Sequence, residues 1–196
     1  LGGVLNLSTG MFSVLAVLTS IWVLSQVPSL GVAIVVGIVA VAALGYATDK
    51  VVLPLVYRAE GDERFLLGVF GTLGLGILLQ GLTQLKYNHG YKLPAHFPPF
   101  SVAGIFLRIS TLVIIVVAFA VFVALYLFFS RTYEGQATRT IMQDETGAAL
   151  CGIDVRRLKT EIFVLSAVIA GIAGMLWGLN ASVSASESFE LATYGI

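Results

Sequence analysis

Long runs without a charged residue divide this chain of 196 residues. A helix needs about 20 mostly apolar residues to cross a bilayer, because each residue adds ~1.5 Å against a hydrocarbon core of ~30 Å. Residues 1–48 carry no charge and are long enough for two crossings, with a turn signal at Pro28-Ser29-Leu30-Gly31. Residues 65–85, 109–129 and 162–186 supply one crossing each. The pattern therefore predicts five membrane-spanning helices.

The composition agrees with a protein that lies in lipid. Hydrophobic residues make up 58% of the chain and charged residues 11%, against about 45–50% and ~25% in soluble domains. This number of charged residues is too small to cover a water-facing surface. We therefore predict an all-α fold, a polytopic bundle of transmembrane helices. The formal net charge is zero, which gives no indication of nucleic-acid binding.

We expect residues 1–196 to form a single transmembrane domain and to be an incomplete, internal fragment of a longer membrane protein. The chain starts at Leu1 within an apolar run, without an initiator methionine, and it stops at Ile196 soon after the last predicted span.

The positions of Lys and Arg predict which side of the membrane each loop faces. Cytoplasmic loops of membrane proteins carry an excess of these residues. If residues 48–64 and 130–161 lie inside, the inner loops hold eight of them and the outer segments hold three. We therefore expect a protein of the plasma (inner) membrane whose long loop, 130–160, is cytoplasmic and whose residues 187–196 lie outside.

Several function classes lack the residues that they require. No ionisable residue lies in the middle of a predicted span, which argues against a proton-driven carrier, a pump, a voltage-gated channel or a membrane-embedded enzyme. The sequence has no G-x-x-x-x-G-K-[ST] phosphate loop, so any ATP-driven motor is expected on another chain. His89 and His96 are not accompanied by a carboxylate or cysteine, so we expect no metal and no cofactor.

One polar cluster stands out within the apolar runs, Asn6-Leu7-Ser8-Thr9-Gly10. Three hydrogen-bonding side chains and a glycine weaken a continuous helix. Broken helices inside a membrane are tolerated where they line a cavity, and their backbone ends bind substrates. Asn6, Ser8, Thr9 and Gly10 are therefore candidates for a substrate path; the alternative is that they pack helices together.

Small residues recur at helical spacing in two spans. Ala170, Gly174 and Gly178 form a small-xxx-small stripe, and four glycines crowd an earlier span: Gly68, Gly71, Gly74 and Gly76. Such residues let the backbones of membrane helices approach closely.

The loop 130–160 contains a predicted amphipathic helix at residues 136–150. This segment has no proline, and its apolar Ala137, Ile141 and Ala148 recur on one helical face. Gly152 follows at the position that favours a helix end. A loop that only connects two spans would need neither an apolar helical face nor a residue that ends a helix.

Four segments resemble one known family, the permeases of ATP-binding-cassette importers, and most closely those for branched-chain amino acids. The loop matches the family's G-x-x-x-R-x-x-x-x-D-x-x-x-A-x-x-x-G-I motif at Gly135, Arg139, Asp144, Ala148, Gly152 and Ile153. The segment Gly3-Val4-Leu5-Asn6-Leu7-Ser8-Thr9-Gly10 resembles G-V-[IL]-N-[FL]-[AS]-H-G, with Thr9 in place of the histidine. Pro54-Leu55-Val56-Tyr57-Arg58 resembles a reordered family stretch, and Ala167 to Gly178 resembles the span after the loop.

The resemblance implies a mechanism and a set of partners. Two permease subunits form the pathway, two cytoplasmic ATPases drive it, and a binding protein outside the membrane delivers a small polar substrate. The loop helix would seat in a groove of the ATPase through Gly135, Arg139, Asp144, Ala148 and Gly152. Arg139 and Asp144 would orient the docking, Ala148 would permit close approach, and Gly152 would end the helix.

The sequence leaves other functions open. Thr9 departs from the family pattern, so a permease for urea or short-chain amides is the alternative within this class. A secondary carrier or channel is the alternative from a different class, and both the loop motif and the absence of buried ionisable groups speak against it.

The charge asymmetry generates the first testable prediction. In intact cells, on a Cys151→Ser background, a membrane-impermeant thiol reagent should modify a cysteine placed at Asn88 and spare one placed at Gln136. Labelling at Gln136 with protection at Asn88 would reverse the orientation.

Overall fold

The computed structural model describes residues 6–52, 54, 56, 61–87, 89–94, 100–102 and 105–193. Within these ranges the side chains of residues 61, 62, 64, 65, 100–102 and 105–107 are not described. The predictions that concern Gly3 to Leu5, Leu55, Tyr57 and Arg58, Asn88 and His96 lie outside the described residues.

Helices make up most of the described chain, so the predicted all-α class is confirmed. In order, the elements are α1 Thr9–Gln26, α2 Leu30–Val51, α3 Gly61–Gln84, β1 Phe100–Val102, β2 Ile105–Leu107, α4 Ile109–Arg131, α5 Tyr133–Gln143, α6 Glu145–Leu150, α7 Val155–Asn180, a 3₁₀ turn Ala185–Glu187 and α8 Ser188–Thr193. The two strands form a short antiparallel hairpin in which Phe100 pairs with Leu107 and Val102 with Ile105.

The five predicted spans are confirmed. Five helices in the described residues are long and apolar enough to cross a membrane: α1, α2, Leu66–Gln84 of α3, α4 and α7. The break between α1 and α2 falls at Pro28, which lacks a backbone N–H and cannot continue a helix. The last span differs from the prediction at both ends. It begins at Val155 because the Asp154 side chain accepts from Arg157 N at 3.0 Å, and it ends at Asn180 rather than Ser186.

Residues Gly3–Leu93 and Ile162–Ile196 form one compact unit. Its core holds buried apolar side chains of α1, α2 and α7, among them Phe12, Val17, Val41, Ala167 and Met175. The rings of Phe12 and Phe163 meet edge to face, with centroids 6.4 Å apart. Beyond α7 the chain is tied back by two backbone bonds, from Tyr91 N to the Val183 carbonyl at 2.9 Å and from Val183 N to the Tyr91 carbonyl at 2.7 Å.

Glycines of α2 and α7 set how closely these helices approach their neighbours. A Cβ on Gly174 would overlap the backbone carbonyl of Ser13, and a Cβ on Gly45 would lie 2.8 Å from the Cβ of Ala167. The Ser13 hydroxyl donates to the Ala170 carbonyl at 2.7 Å across the same contact. The predicted packing role of the small-residue stripe is thereby confirmed for α7. A Cβ on Gly74 of α3, by contrast, would meet nothing within 4 Å.

Residues Pro94–Glu161 form a second compact unit. It contains the hairpin, the long helix α4 and the two loop helices α5 and α6. No residue of α4 is buried in the described structure. A helix that is apolar on all sides and unburied is suited to contact with lipid or with another membrane helix.

The glycine contacts predict different effects on stability for alanine substitutions at two positions. Gly174→Ala should lower the free energy of unfolding by about 1–3 kcal/mol, because the added methyl group forces α7 away from the Ser13 backbone. Gly74→Ala should be neutral or slightly stabilising, since alanine has the higher helix propensity and open space receives it. Thermal unfolding of the purified protein in detergent measures both. Equal losses at the two positions would contradict the packing described for α7.

Candidate functional site

The first candidate site lies where α1 begins. Residues 6–8 are not helical, and α1 starts at Thr9. The Asn6 side-chain oxygen Oδ1 accepts from Ser8 N at 3.1 Å and from the Ser8 hydroxyl at 2.6 Å. The Thr9 hydroxyl donates to the Asn6 carbonyl at 3.1 Å. These local bonds fold the chain into a turn before the helix.

Thr72 of α3 anchors this turn. Leu7 N donates to the Thr72 Oγ1 at 3.2 Å, and the Thr72 hydroxyl in turn donates to the Gly68 carbonyl at 2.8 Å. Thr72 is completely buried and lies within the membrane-spanning part of α3. The turn at residues 6–8 therefore lies beside a candidate membrane span, where few water molecules would be available to its polar groups.

The turn presents hydrogen-bond donors. Because Asn6 Oδ1 accepts from a backbone N–H, the orientation of the amide is fixed and its Nδ2 group points away from Ser8. That Nδ2 atom is buried and has no hydrogen-bond partner among the described residues. The Ser8 hydroxyl is used on Asn6 and makes no cap on α1. The positive end of a helix dipole therefore lies beside an amide N–H₂ group, an arrangement that favours a ligand with negatively charged oxygen atoms.

The four residues predicted to line the substrate path differ in how exposed their side chains are. Asn6 and Thr9 are half-buried, whereas Ser8 and Gly10 are buried. A Cβ on Gly10 would overlap the Ser188 carbonyl, because the first turn of α1 packs directly against α8. Sequence reasoning missed both Thr72 and α8 as neighbours of the site. Thr72 offered one signal, a hydroxyl within an apolar span, but no local pattern connects it to Leu7.

The second candidate site is the loop between α4 and α7. The single helix predicted at residues 136–150 is two helices in the structure, α5 and α6, separated by Asp144. Asp144 is extended (φ −151°, ψ 104°), and its side chain accepts from Gly147 N at 2.9 Å, so it caps α6. The carboxylate competes for backbone donors that a continuous helix would have used. Of the three apolar residues expected on one buried face, Ala137 and Ala148 are buried, one on each helix, and Ile141 is half-buried.

Two motif glycines shape this loop. A Cβ on Gly135 would overlap the Phe128 carbonyl, because the first turn of α5 folds back on the end of α4. Gly152 has φ +82°, a left-handed conformation that side chains disfavour. Its own N–H donates to the Ala149 carbonyl at 3.0 Å, and Ile153 N donates to the Ala148 carbonyl at 3.1 Å. Gly152 therefore ends α6, as predicted.

The surface of the loop is made by other residues. Ala148 is 0% exposed within this chain, whereas Arg139 lies on the surface. Met142 is 61% exposed and Leu150 84% exposed. Sequence reasoning did not select these two side chains; the signal available was two large apolar residues in a polar loop, outside the Ala137–Ala148 face.

Comparison with known proteins places the chain in a family. The model of the family described as the branched-chain amino acid transport system permease component matches residues 1–196. The chain belongs to this family. The resemblance to this family is thereby confirmed, and the chain is a multi-pass protein of the inner membrane.

Individual relatives agree with the family match. The permease is similar to BraD of Pseudomonas aeruginosa, a high-affinity branched-chain amino acid transport system permease protein, with 29% identity over 153 residues, or 74% of this chain and 48% of the relative. It is 30% identical over 148 residues to LivH of Escherichia coli, which has the same description, covering 72% of this chain and 47% of LivH. A probable LivH of Methanocaldococcus jannaschii is 34% identical over 160 residues, 76% and 47% of the two chains.

The chain spans about half the length of these curated relatives. No solved structure matches it. The candidate sites described above therefore rest on the geometry of this permease itself.

Proposed function

We propose that this permease is the transmembrane subunit of an ATP-binding-cassette importer that carries branched-chain or other small amino acids across the inner membrane. The observation that carries the proposal is the non-helical turn before α1, in which Leu7 N donates to Thr72 among apolar helices. Membership of the family and the names of the relatives support the choice of substrate class.

The substrate path in this proposal includes Asn6, Ser8, Thr9 and Gly10. The Asn6 Nδ2 group and the N-terminus of α1 would donate to the carboxylate of an amino acid, which matches the use of broken-helix ends in other transporters. Gly10 contributes by allowing α8 to approach the first turn of α1 rather than by contacting the substrate.

The motor of the importer would be a pair of ATPase subunits on separate chains, and this permease would contribute no ATP-binding or catalytic residue. A second permease subunit would complete the pathway, and a binding protein outside the membrane would deliver the substrate. These partners follow from the family as a whole. The ATPase would contact the loop formed by α5 and α6.

Within that loop the coupling residues have two different roles. Gly135, Asp144, Ala148 and Gly152 would hold the shape of the loop, since they are buried, close to backbone or at helix caps. Arg139 would contact the ATPase directly, together with the exposed Met142 and Leu150. Movement of the ATPase pair would then shift the permease between inward-open and outward-open states by differential binding.

A permease for urea or short-chain amides is the second candidate, because Thr9 stands where the family pattern has a histidine. The Asn6 amide could donate to the carbonyl oxygen of such a substrate as well. A neutral amide, however, would make no use of the positive end of α1. Competition between leucine and urea in an uptake assay separates the two substrates.

The path proposal predicts the behaviour of Asn6 variants. Asn6→Leu should reduce leucine uptake per assembled transporter roughly tenfold or more, because removal of a charge-assisted hydrogen bond costs about 1.5–3 kcal/mol. Asn6→Asp should lower uptake further, since its negative charge repels a carboxylate. Uptake into proteoliposomes, divided by the amount of assembled complex, gives both values.

Thr19→Val serves as the matched control, because the Thr19 hydroxyl donates to the Leu15 carbonyl of its own helix, at 2.6 Å, and to no other helix among the described residues. It should transport at nearly the wild-type rate. If Asn6→Leu instead reduces the amount of assembled complex and leaves uptake per complex unchanged, Asn6 packs helices and does not line the path.

A further inference from the structure

Helix α6 is fastened to the start of α7 at its C-terminal end. The connection between them is short, and its backbone donors are used: Gly152 N and Ile153 N donate to carbonyls of α6, at 3.0 and 3.1 Å. On the other side of the turn, the Asp154 side chain accepts from Arg157 N at 3.0 Å and so begins α7. This turn fixes the backbone between the two helices.

An ion pair fastens the opposite end of α6. Glu145, the first residue of α6, accepts through Oε1 from the ammonium group of Lys159 on α7. The Lys159 side chain is only 10% exposed and that of Glu145 is 47% exposed, so the pair is partly shielded from water. A helix held at only one end can pivot about its turn, whereas a helix held at both ends cannot.

We infer that α6 and the cytoplasmic start of α7 move as one rigid body, with Glu145 and Lys159 as positioning residues for energy coupling. The inference rests on the proposed function, in which an ATPase displaces the loop. A displacement of α6 would then be transmitted directly into α7. In its membrane part, α7 contacts α1 through the bond between the Ser13 hydroxyl and the Ala170 carbonyl.

A neighbouring ion pair provides the contrast. Arg157 and Glu161 lie one turn apart on α7, with side chains 73% and 38% exposed, and their bond of 2.7 Å joins no second helix. Exposed pairs of this kind contribute little to stability. The inference requires an ion pair that joins two helices. Loss of the Glu145–Lys159 pair should therefore affect coupling, and loss of the Arg157–Glu161 pair, which lies within one helix, should not.

Charge reversal tests the inference in the assembled transporter. Glu145→Lys and Lys159→Glu should each lower leucine uptake per ATP hydrolysed by about fivefold, the size expected for the loss of one contacting pair. ATPase binding should persist in both. The double variant restores opposite charges and should return the ratio to nearly the wild-type value. The Arg157→Glu and Glu161→Arg variants should leave the ratio unchanged.

The inference is overturned if the double variant fails to restore the ratio, or if the Arg157 and Glu161 variants lower it equally.

A second measurement does not require transport. Spin labels at Thr146 and Arg156, on a Cys151→Ser background, should give a narrow distance distribution that broadens in Glu145→Lys and narrows again in the double variant. An unchanged distribution in Glu145→Lys overturns the rigid connection. Absence of ATP-driven uptake in the wild type refutes the proposed function alone, because the label distances still decide the inference.

Discussion

A backbone N–H or carbonyl group inside a membrane must find its hydrogen-bond partner within the protein, and the rest of this structure depends on that constraint. In the non-helical turn before α1, the N–H groups of Leu7 and Ser8 donate to the side chains of Thr72 and Asn6. Elsewhere in the same unit α7 and α1 pack closely, because Gly174 has no side chain at its contact with Ser13. The Asn6 Nδ2 group, close to the N-terminus of α1, has no hydrogen-bond partner among the described residues, and the proposed substrate path depends on it.

The loop between α4 and α7 is shaped differently, because water can satisfy its exposed polar groups and its backbone geometry is fixed by helix caps. Asp144 ends one helix and begins the next, and Gly152 adopts a left-handed conformation that closes the second. The family motif in this loop thus consists largely of residues that fix backbone geometry. The large exposed side chains, Met142 and Leu150, fall between the motif positions.

The sequence was sufficient for features whose causes are local. The five spans follow from the lengths of the apolar runs, the break at Pro28 from its missing donor, and the end of α6 from Gly152. The sequence alone did not predict features that depend on contacts between residues far apart in the chain. The bond from Leu7 to Thr72 joins residues 65 apart, and the packing of α8 on Gly10 joins the two ends of the chain. The division of the loop helix was missed because Asp144 fits a helical face in the pattern, whereas its carboxylate prefers to cap.

The central claim, that the turn before α1 contacts the transported amino acid, is tested most directly by substrate protection. Thr9→Cys on a Cys151→Ser background places a thiol on the half-buried side of the turn, and Thr19→Cys places one further along α1 as a reference. Saturating leucine should slow the modification of Cys at position 9 by a membrane-permeant thiol reagent several-fold and leave the reference position unaffected. Equal modification rates at position 9 with and without leucine, in a transporter that carries leucine, would contradict the account.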